Sequence, residues 1–186
     1  PLECPIIVTG IESAEIIKYA SNAFLATKIS FINSIADLCE KAGADVKAVA
    51  KGIGADSRIG RSFLEPGLGY GGSCFPKDVE SLLHTSDELG APFPLLQEVM
   101  QINAERVPQF VNRIVERITE NGTRSPTDMI LAILGLSFKP ETDDMREAKS
   151  IEMCRLLREK GARLRAYDPI ATENAKTMIG TRGIEY

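Results

Sequence analysis

The stretch from Ser13 to Gly43 sets the tightest limit on what this chain can fold into. Its apolar residues fall into two helical stripes, Ile17, Ala20, Phe24, Phe31, Ile35 and Leu38 on one face and Leu25, Ile29, Ile32 and Ala36 on another. A helix apolar on two faces must be covered on both, so the spacing predicts a central spine of roughly 45 Å at about 1.5 Å per residue. Ser13 is the expected N-cap, with Glu15 in the first turn, and Gly43 the expected C-terminal stop. A spine of this kind suits contact with its own symmetry mate, so a homodimer through this helix is expected.

More helices are expected from Asp45 to Ile53, from about Pro76 to Leu89 with Gly90 closing it, and from about Pro94 onward. The last carries Val99, Ile102, Phe110, Ile114 and Ile118, and Pro108 is expected to kink or break it. Past the segment TRSPTD the period changes. A buried strand MILAIL, a helix from about Ala148 to Lys160 and a strand RLRAYD form a single strand-helix-strand unit, which implies a right-handed crossover and a parallel sheet. The expected organisation is a mainly α unit over 13–122 and the beginning of an α/β unit over 127–186. Residues 1–12, with the β-like run Ile6 to Val8, read as a tail from a preceding domain, and both ends read as cuts in something longer.

Composition narrows the function. Lys and Arg number 22 against 26 Asp and Glu, a formal charge of −4, which argues against nucleic acid as a partner. The apolar run Met129 to Leu134 is far too short to span a bilayer, which takes about 20 residues, and no signal peptide is evident. Cysteines at 4, 39, 74 and 154 form no close pair and are read as reduced thiols in a cytoplasmic protein. The single histidine, His84, excludes multi-histidine metal sites; it sits mid-helix and is given no role, and no metal is expected. Chemistry then falls to a cysteine, a lysine or a carboxylate.

The segment GLGYGG satisfies G-x-G-x-x-G at Gly67, Gly69 and Gly72, yet the residues before it, GADSRIGRSFLEP, are polar and end in a proline. A dinucleotide fingerprint needs a buried strand there, so that reading is rejected. What remains is a loop whose amides approach a ligand, or a plain surface turn. In GGSCFPKD, Pro76 fits the first helical position, which puts Cys74 just before a helix N-terminus, where the dipole favours an anion, with Lys77 near and Asp78 in the first turn. A thiol beside a carboxylate reads as a nucleophile with a group to orient water, or as a small buried residue before an ordinary helix start. Lys18 and Asn22, four apart, share one helical face in an otherwise apolar stretch; the lysine is either snorkelling or poised for proton transfer or oxyanion stabilisation. Lys139 and Arg146, after a buried strand, either clamp a pyrophosphate or balance Glu141, Asp143 and Asp144, and Arg58 and Arg61 invite the same two readings. The sequon at Asn121 reads as a helix terminator.

Three runs in order, AEIIKYASNAFLATKISFIN, RIGRSFLEPGLGYGGSCFPKD and GLSFKPETDDMRE, resemble the UDP-glucose/GDP-mannose family of NAD-dependent nucleotide-sugar dehydrogenases. The GYGGSCFPKD form is nearer the members acting on UDP-glucose than those acting on GDP-mannose. The resemblance implies a helical dimerisation domain followed by a truncated Rossmann-like domain for UDP, without the NAD domain. It implies oxidation of UDP-glucose to UDP-glucuronate in two hydride transfers, with NAD as cofactor. Cys74 would attack the intermediate aldehyde, Asp78 would place the hydrolytic water, and Lys18 and Asn22 would stabilise oxyanions. Lys139 would bind the phosphate side and Arg146 would lie near the NAD pyrophosphate. Phe63, Tyr70, Gly71 and Phe138 would line the sugar-nucleotide pocket, and Arg58 would reach the partner subunit's substrate. Lys149 stands where the family often has proline. Alternatives are another nucleotide-sugar substrate, GDP-mannose among them, a non-catalytic dimerisation and nucleotide-binding module for the isolated chain, and a thiol-based redox or acyl-transfer protein.

Overall fold

The computed structural model describes residues 5–120 and 122–186. Cys4 and the sequon residue Asn121 lie outside them. The spine is the helix α1 (Ile11–Ala42), about 48 Å long at 1.5 Å per residue. It begins two residues before the expected cap: Gly10 holds the N-cap position, and Ser13 lies inside the first turn. Gly43 ends it as expected, in the left-handed conformation with φ 69°, its N–H donating to Cys39 O.

The two apolar stripes of α1 fare differently. Ala23, Ala26, Ser30, Ile32, Asn33 and Ala36 are buried, small enough along most of their length to let neighbouring helices approach. Ile17, Phe24, Phe31 and Leu38, seven residues apart, remain 49%, 65%, 52% and 61% exposed. Within one copy of the chain, the expected burial on both faces is therefore met on one only. Three helices follow: α2 (Val46–Gly54), capped by the Asp45 side chain accepting from Lys47 N–H, α3 (Phe75–Glu88) and α4 (Pro94–Ile118). Pro108 does not break α4, which runs through it; Val107 and Val111 are buried on either side and hold the helix in place across the one missing hydrogen bond.

After a 3-10 turn at Pro126–Asp128 come β1 (Ile130–Leu134), α5 (Lys149–Glu159), β2 (Arg163–Tyr167), α6 (Thr172–Ile179) and β3 (Ile184–Glu185). The strands are parallel in the order β1-β2-β3, with Ile130 opposite Arg163 and Leu164 opposite Ile184. Two strand-helix-strand units are thus present where one was expected, because the short, polar α6 and the two-residue β3 carry little periodicity. β1 is an edge strand, with Ile130 and Leu134 exposed, so the expected fully buried strand is only half covered. Ile6 to Val8 form no strand. The architecture is a mainly helical half followed by a small α/β half.

Three clusters form the core. Ala23, Ala26, Tyr70, Val79, Leu96 and Val99 join α1, α3 and the first half of α4, and Ile32, Ala50 and Leu64 seat α2 against α1. The third packs Leu136, Met153, Leu157, Leu164 and Ala175 around Val107 and Val111, so the second half of α4 belongs to the α/β core. Among the described residues no helix is long and apolar enough to cross a membrane.

Candidate active site

The loop between α2 and α3 carries Cys74 into place. No strand precedes its glycines, and three of its amides are already committed: Gly67 N–H donates to Asn33 Oδ1 at 2.8 Å, Tyr70 N–H to Asn103 Oδ1 at 2.8 Å, and Gly72 N–H to Arg146 O at 3.0 Å. Those three amides bind other parts of the chain and are not turned to a ligand. The glycine pair serves close packing instead. A Cβ on Gly71 would lie 2.1 Å from Glu147 O, and one on Gly72, whose φ is +83°, 2.7 Å from the Phe138 ring. The Cys74 loop and the β1–α5 loop thus meet backbone to backbone.

Cys74 is the residue before α3, exposed, with Ser73 Oγ 3.7 Å from its Sγ. One turn into α3, Asp78 is wholly buried. Its carboxylate takes Lys18 Nζ at 3.2 and 3.1 Å and Asn22 Nδ2 at 2.7 Å. Burial pushes the Asp78 carboxyl up, but the bonds from Lys18 and Asn22 and the Lys18 charge outweigh it and hold the group below the usual carboxylate range. Lys18 is raised in turn, chiefly by its bond to Asp78 and against some desolvation, with the charge of Cys74 a lesser contribution. The expected pair on one face of α1 does meet the expected carboxylate. The lysine side chain is 59% exposed, so it is a charged donor at the rim of the site and not a desolvated base.

Aromatic rings wall the same region. Phe75 stands between Phe63 and Tyr70, with centroids 6.1 and 6.2 Å away. Tyr70 is buried, which pushes its hydroxyl up to about 12. From the other half come Phe138, against Gly72, and Lys139, whose ammonium lies 5.3 Å from the Phe138 ring centroid. Arg146 binds Asp144 through Nε at 3.0 Å and its terminal nitrogen at 2.6 Å, and this bond holds the Asp144 carboxyl down at about 2. Arg146 also feels the charge of Cys74. Arg58 is not brought to this cluster by any hydrogen bond or ion pair; its guanidinium is bound to Asp56 at 2.5 to 3.1 Å.

Between the loop, α4 and the end of β1 opens a cavity of about 530 Å³, lined by Gly71, Phe110, Leu134, Ser137, Phe138 and Lys149, among others. Burial lowers the Lys149 ammonium. The cavity lies at the carboxyl end of a parallel strand, where open α/β sheets take their ligands.

Residues that the sequence did not single out support this arrangement. Asp168, after β2, is buried and accepts four backbone N–H groups, from Leu136, Ser137, Ile170 and Ala171, at 2.8 to 3.3 Å. Despite the pull of burial, those bonds hold its carboxyl at about 2. It thereby fixes the backbone just ahead of Phe138 and Lys139. Asn33, Asn103 and Arg106 grip the glycine loop. The available signal was a few polar residues on helical faces that are otherwise apolar.

A thiol at a helix start, a lysine and an amide bonded to a carboxylate one turn beyond it, and a cavity at the end of a parallel strand thus lie along one stretch of the fold. The chain belongs to the UDP-glucose/GDP-mannose dehydrogenase family: residues 12–105 match that family's central domain and residues 132–186 its UDP binding domain. It is 51% identical over its whole length to a UDP-glucose 6-dehydrogenase of Bacillus subtilis, covering 41% of that protein, and 45% identical over 177 residues to one of Rhizobium meliloti, covering 40% of it and 95% of this chain. The fold matches a UDP-glucose dehydrogenase from Pyrobaculum islandicum with a TM-score of 0.90 at 38% identity, over all of this chain and 41% of that one. A UDP-D-ManNAc dehydrogenase from Pyrococcus horikoshii gives 0.79 at 29% identity, over 90% and 38%. The chain spans about two fifths of the length of these relatives.

Proposed function

We propose that this chain is the cysteine-bearing and UDP-binding portion of a nucleotide-sugar dehydrogenase that oxidises UDP-glucose to UDP-glucuronate through a covalent intermediate on Cys74. The observation that carries the reading is Cys74 at the start of α3, exposed, one turn from the Asp78, Lys18 and Asn22 cluster. The aldehyde formed in the first oxidation is attacked by the Cys74 sulfur; a C–S bond forms and the carbonyl oxygen takes up a proton, giving a thiohemiacetal. The charged Lys18 and the Asn22 amide are donors suited to the developing oxyanion. Oxidation gives a thioester, water attacks it, the C–S bond breaks with the sulfur leaving, and the carboxylate is released. Asp78, ionised and bonded through both oxygens, acts by holding Lys18 and Asn22 toward the water rather than by taking its proton.

The substrate's uridine and phosphates are assigned to the cavity beside Phe138, with Lys139 at its phosphate side and Phe63, Tyr70 and Gly71 toward the sugar; its 530 Å³ is within the usual range for small-molecule sites, about 300–1,000 Å³. NAD would supply the hydride acceptor for both oxidations. Its dinucleotide cradle is not assigned to the glycine loop, which follows no strand and spends three of its amides on Asn33, Asn103 and Arg146; Arg146 is the residue here assigned to its pyrophosphate. The heptad-spaced row of exposed Ile17, Phe24, Phe31 and Leu38 supports a homodimer along α1, with Arg58 reaching the partner subunit's substrate. Free thiols at Cys39, Cys74 and Cys154 support a reducing, cytoplasmic setting. By itself the chain is expected to give no NADH with NAD and UDP-glucose.

The test is Cys74→Ser in the full-length enzyme. Acid formation is expected to stop, with one NADH rather than two formed per UDP-glucose consumed; undiminished UDP-glucuronate would refute the mechanism.

A further inference from the structure

Three polar side chains hold the backbone that leads to Cys74, and the reaction above gives none of them a part. On α4, Asn103 is 8% exposed, and its amide oxygen accepts Tyr70 N–H at 2.8 Å while its amide nitrogen donates to Tyr70 O at 3.3 Å. A side chain thus satisfies both polar groups of one backbone residue, as a neighbouring strand would. One turn further, Arg106 is 6% exposed, donates through Nε to Gly67 O at 2.9 Å, and pairs with Asp37 at 2.5 Å. From α1, Asn33 accepts Gly67 N–H. Gly69 between them has φ +103°, and a Cβ there would fall 2.3 Å from Asn103 Oδ1. Burying a polar side chain is costly unless it is hydrogen-bonded, and here the bonds of these residues converge on one four-residue stretch.

We propose that Asn103 and Arg106 are positioning residues that hold Gly67 to Tyr70 so that Cys74 faces the Lys18, Asn22 and Asp78 cluster. The inference rests on the reading of Cys74 as the nucleophile. α4 is seated in the helical core through Leu96 and Val99 and in the α/β core through Val107 and Val111. The loop is therefore held, beside Asn33, by a helix anchored in both halves, the halves that supply Lys18 and Asn22 on one side and Phe138, Lys139 and Arg146 on the other. A displacement of about 1 Å at such a site can cost about a hundredfold in rate. An aldehyde that Cys74 does not capture leaves the enzyme.

The experiment measures, in the full-length enzyme, aldehyde trapped by semicarbazide per NADH formed. Asn103→Ala and Arg106→Met are each expected to raise this ratio by about tenfold. Val111→Ala, which thins the packing of the same helix without a hydrogen bond to the loop, is the control for lost stability and should leave the ratio within about twofold. An unchanged ratio in the two loop variants, or an equal rise in the control, overturns the proposal. An arm that needs no cofactor uses the 186-residue chain. Iodoacetamide labelling of exposed Cys74 should change by at least about threefold in both loop variants, while labelling of buried Cys39 and Cys154 stays at the wild-type rate. No change at Cys74, or the same change at Cys39 and Cys154 as at Cys74, overturns the positioning role. A wild-type enzyme that makes no UDP-glucuronate refutes the reading of the reaction instead, and the labelling arm then decides the positioning role alone.

Discussion

Replacing Gly71 by alanine would put a methyl carbon 2.1 Å from Glu147 O and 3.0 Å from its carbon. The two loops must separate by more than about 1 Å to reach an ordinary C···O contact of about 3.3 Å. The carbonyl has little room to yield, because Glu147 already holds a left-handed φ of 53° and the next residue, Ala148, is buried at the start of α5. Separation breaks the Gly72 N–H bond to Arg146 O. Losing that bond costs about 0.5–1.5 kcal/mol and the overpacking about 1–3 kcal/mol, about 2–4 kcal/mol together. In urea, with a slope of about 2 kcal/mol/M, the unfolding midpoint of Gly71→Ala should fall by about 1–2 M, and the Gly72 amide should lose its protection from hydrogen exchange. Gly52→Ala is the matched control: nothing lies within 4 Å of its Cβ position, so helix propensity should make it neutral or stabilising by about 0.5–1 kcal/mol. A Gly71→Ala protein with an unchanged midpoint and a protected Gly72 amide would show that backbone contact between the loops is not what the glycine provides.

Asp168→Asn tests the other loop. With a folded-state pKa of about 2, below the unfolded value of about 3.9, the carboxylate contributes about 2 kcal/mol above pH 4, and that contribution is lost as pH falls toward 2. The variant should lose this at neutral pH and show a flatter profile below pH 4 in urea unfolding; a profile as steep as the wild type's would assign the acid sensitivity to other carboxylates. On α1, Phe24→Asp with Phe31→Asp should convert a dimer to a monomer in analytical ultracentrifugation, with helix content by circular dichroism unchanged; a wild-type chain that sediments as a monomer at tens of micromolar would count against the exposed row as a contact between copies.

The sequence exposed the catalytic candidates because their order is local. Cys74 and Asp78 sit one turn apart, and Lys18 and Asn22 share a helical face, so spacing alone puts each pair together. That Lys18 and Asn22 meet Asp78 is a tertiary fact, and it took the α1 and α3 packing to show it. Asn33, Asn103, Arg106 and Asp168 escaped because a polar residue on an amphipathic helix or after a strand looks the same whether it faces water or a backbone amide. Pro108 marks a break in the sequence that α4 does not make, because buried Val107 and Val111 hold the helix on both sides. The second strand-helix-strand unit went unseen because α6 has eight residues and β3 two, too short for a period to register. The double apolar face of α1 is legible in the spacing, but within one copy of the chain only one of the two faces is buried.

The sharing of α4 between two cores bears on how such chains can be recombined. A cut in the connection after Ile118, the place that the change of period recommends, would carry Val107, Phe110, Val111 and Ile114 away from the α/β half they pack against. A cut before Pro94 would instead strip Leu96 and Val99 from the helical half and remove Asn103 and Arg106 from the loop they hold. In exchanges between relatives, either cut divides a core that α4 shares, and the seam visible in the sequence is not a seam in the packing.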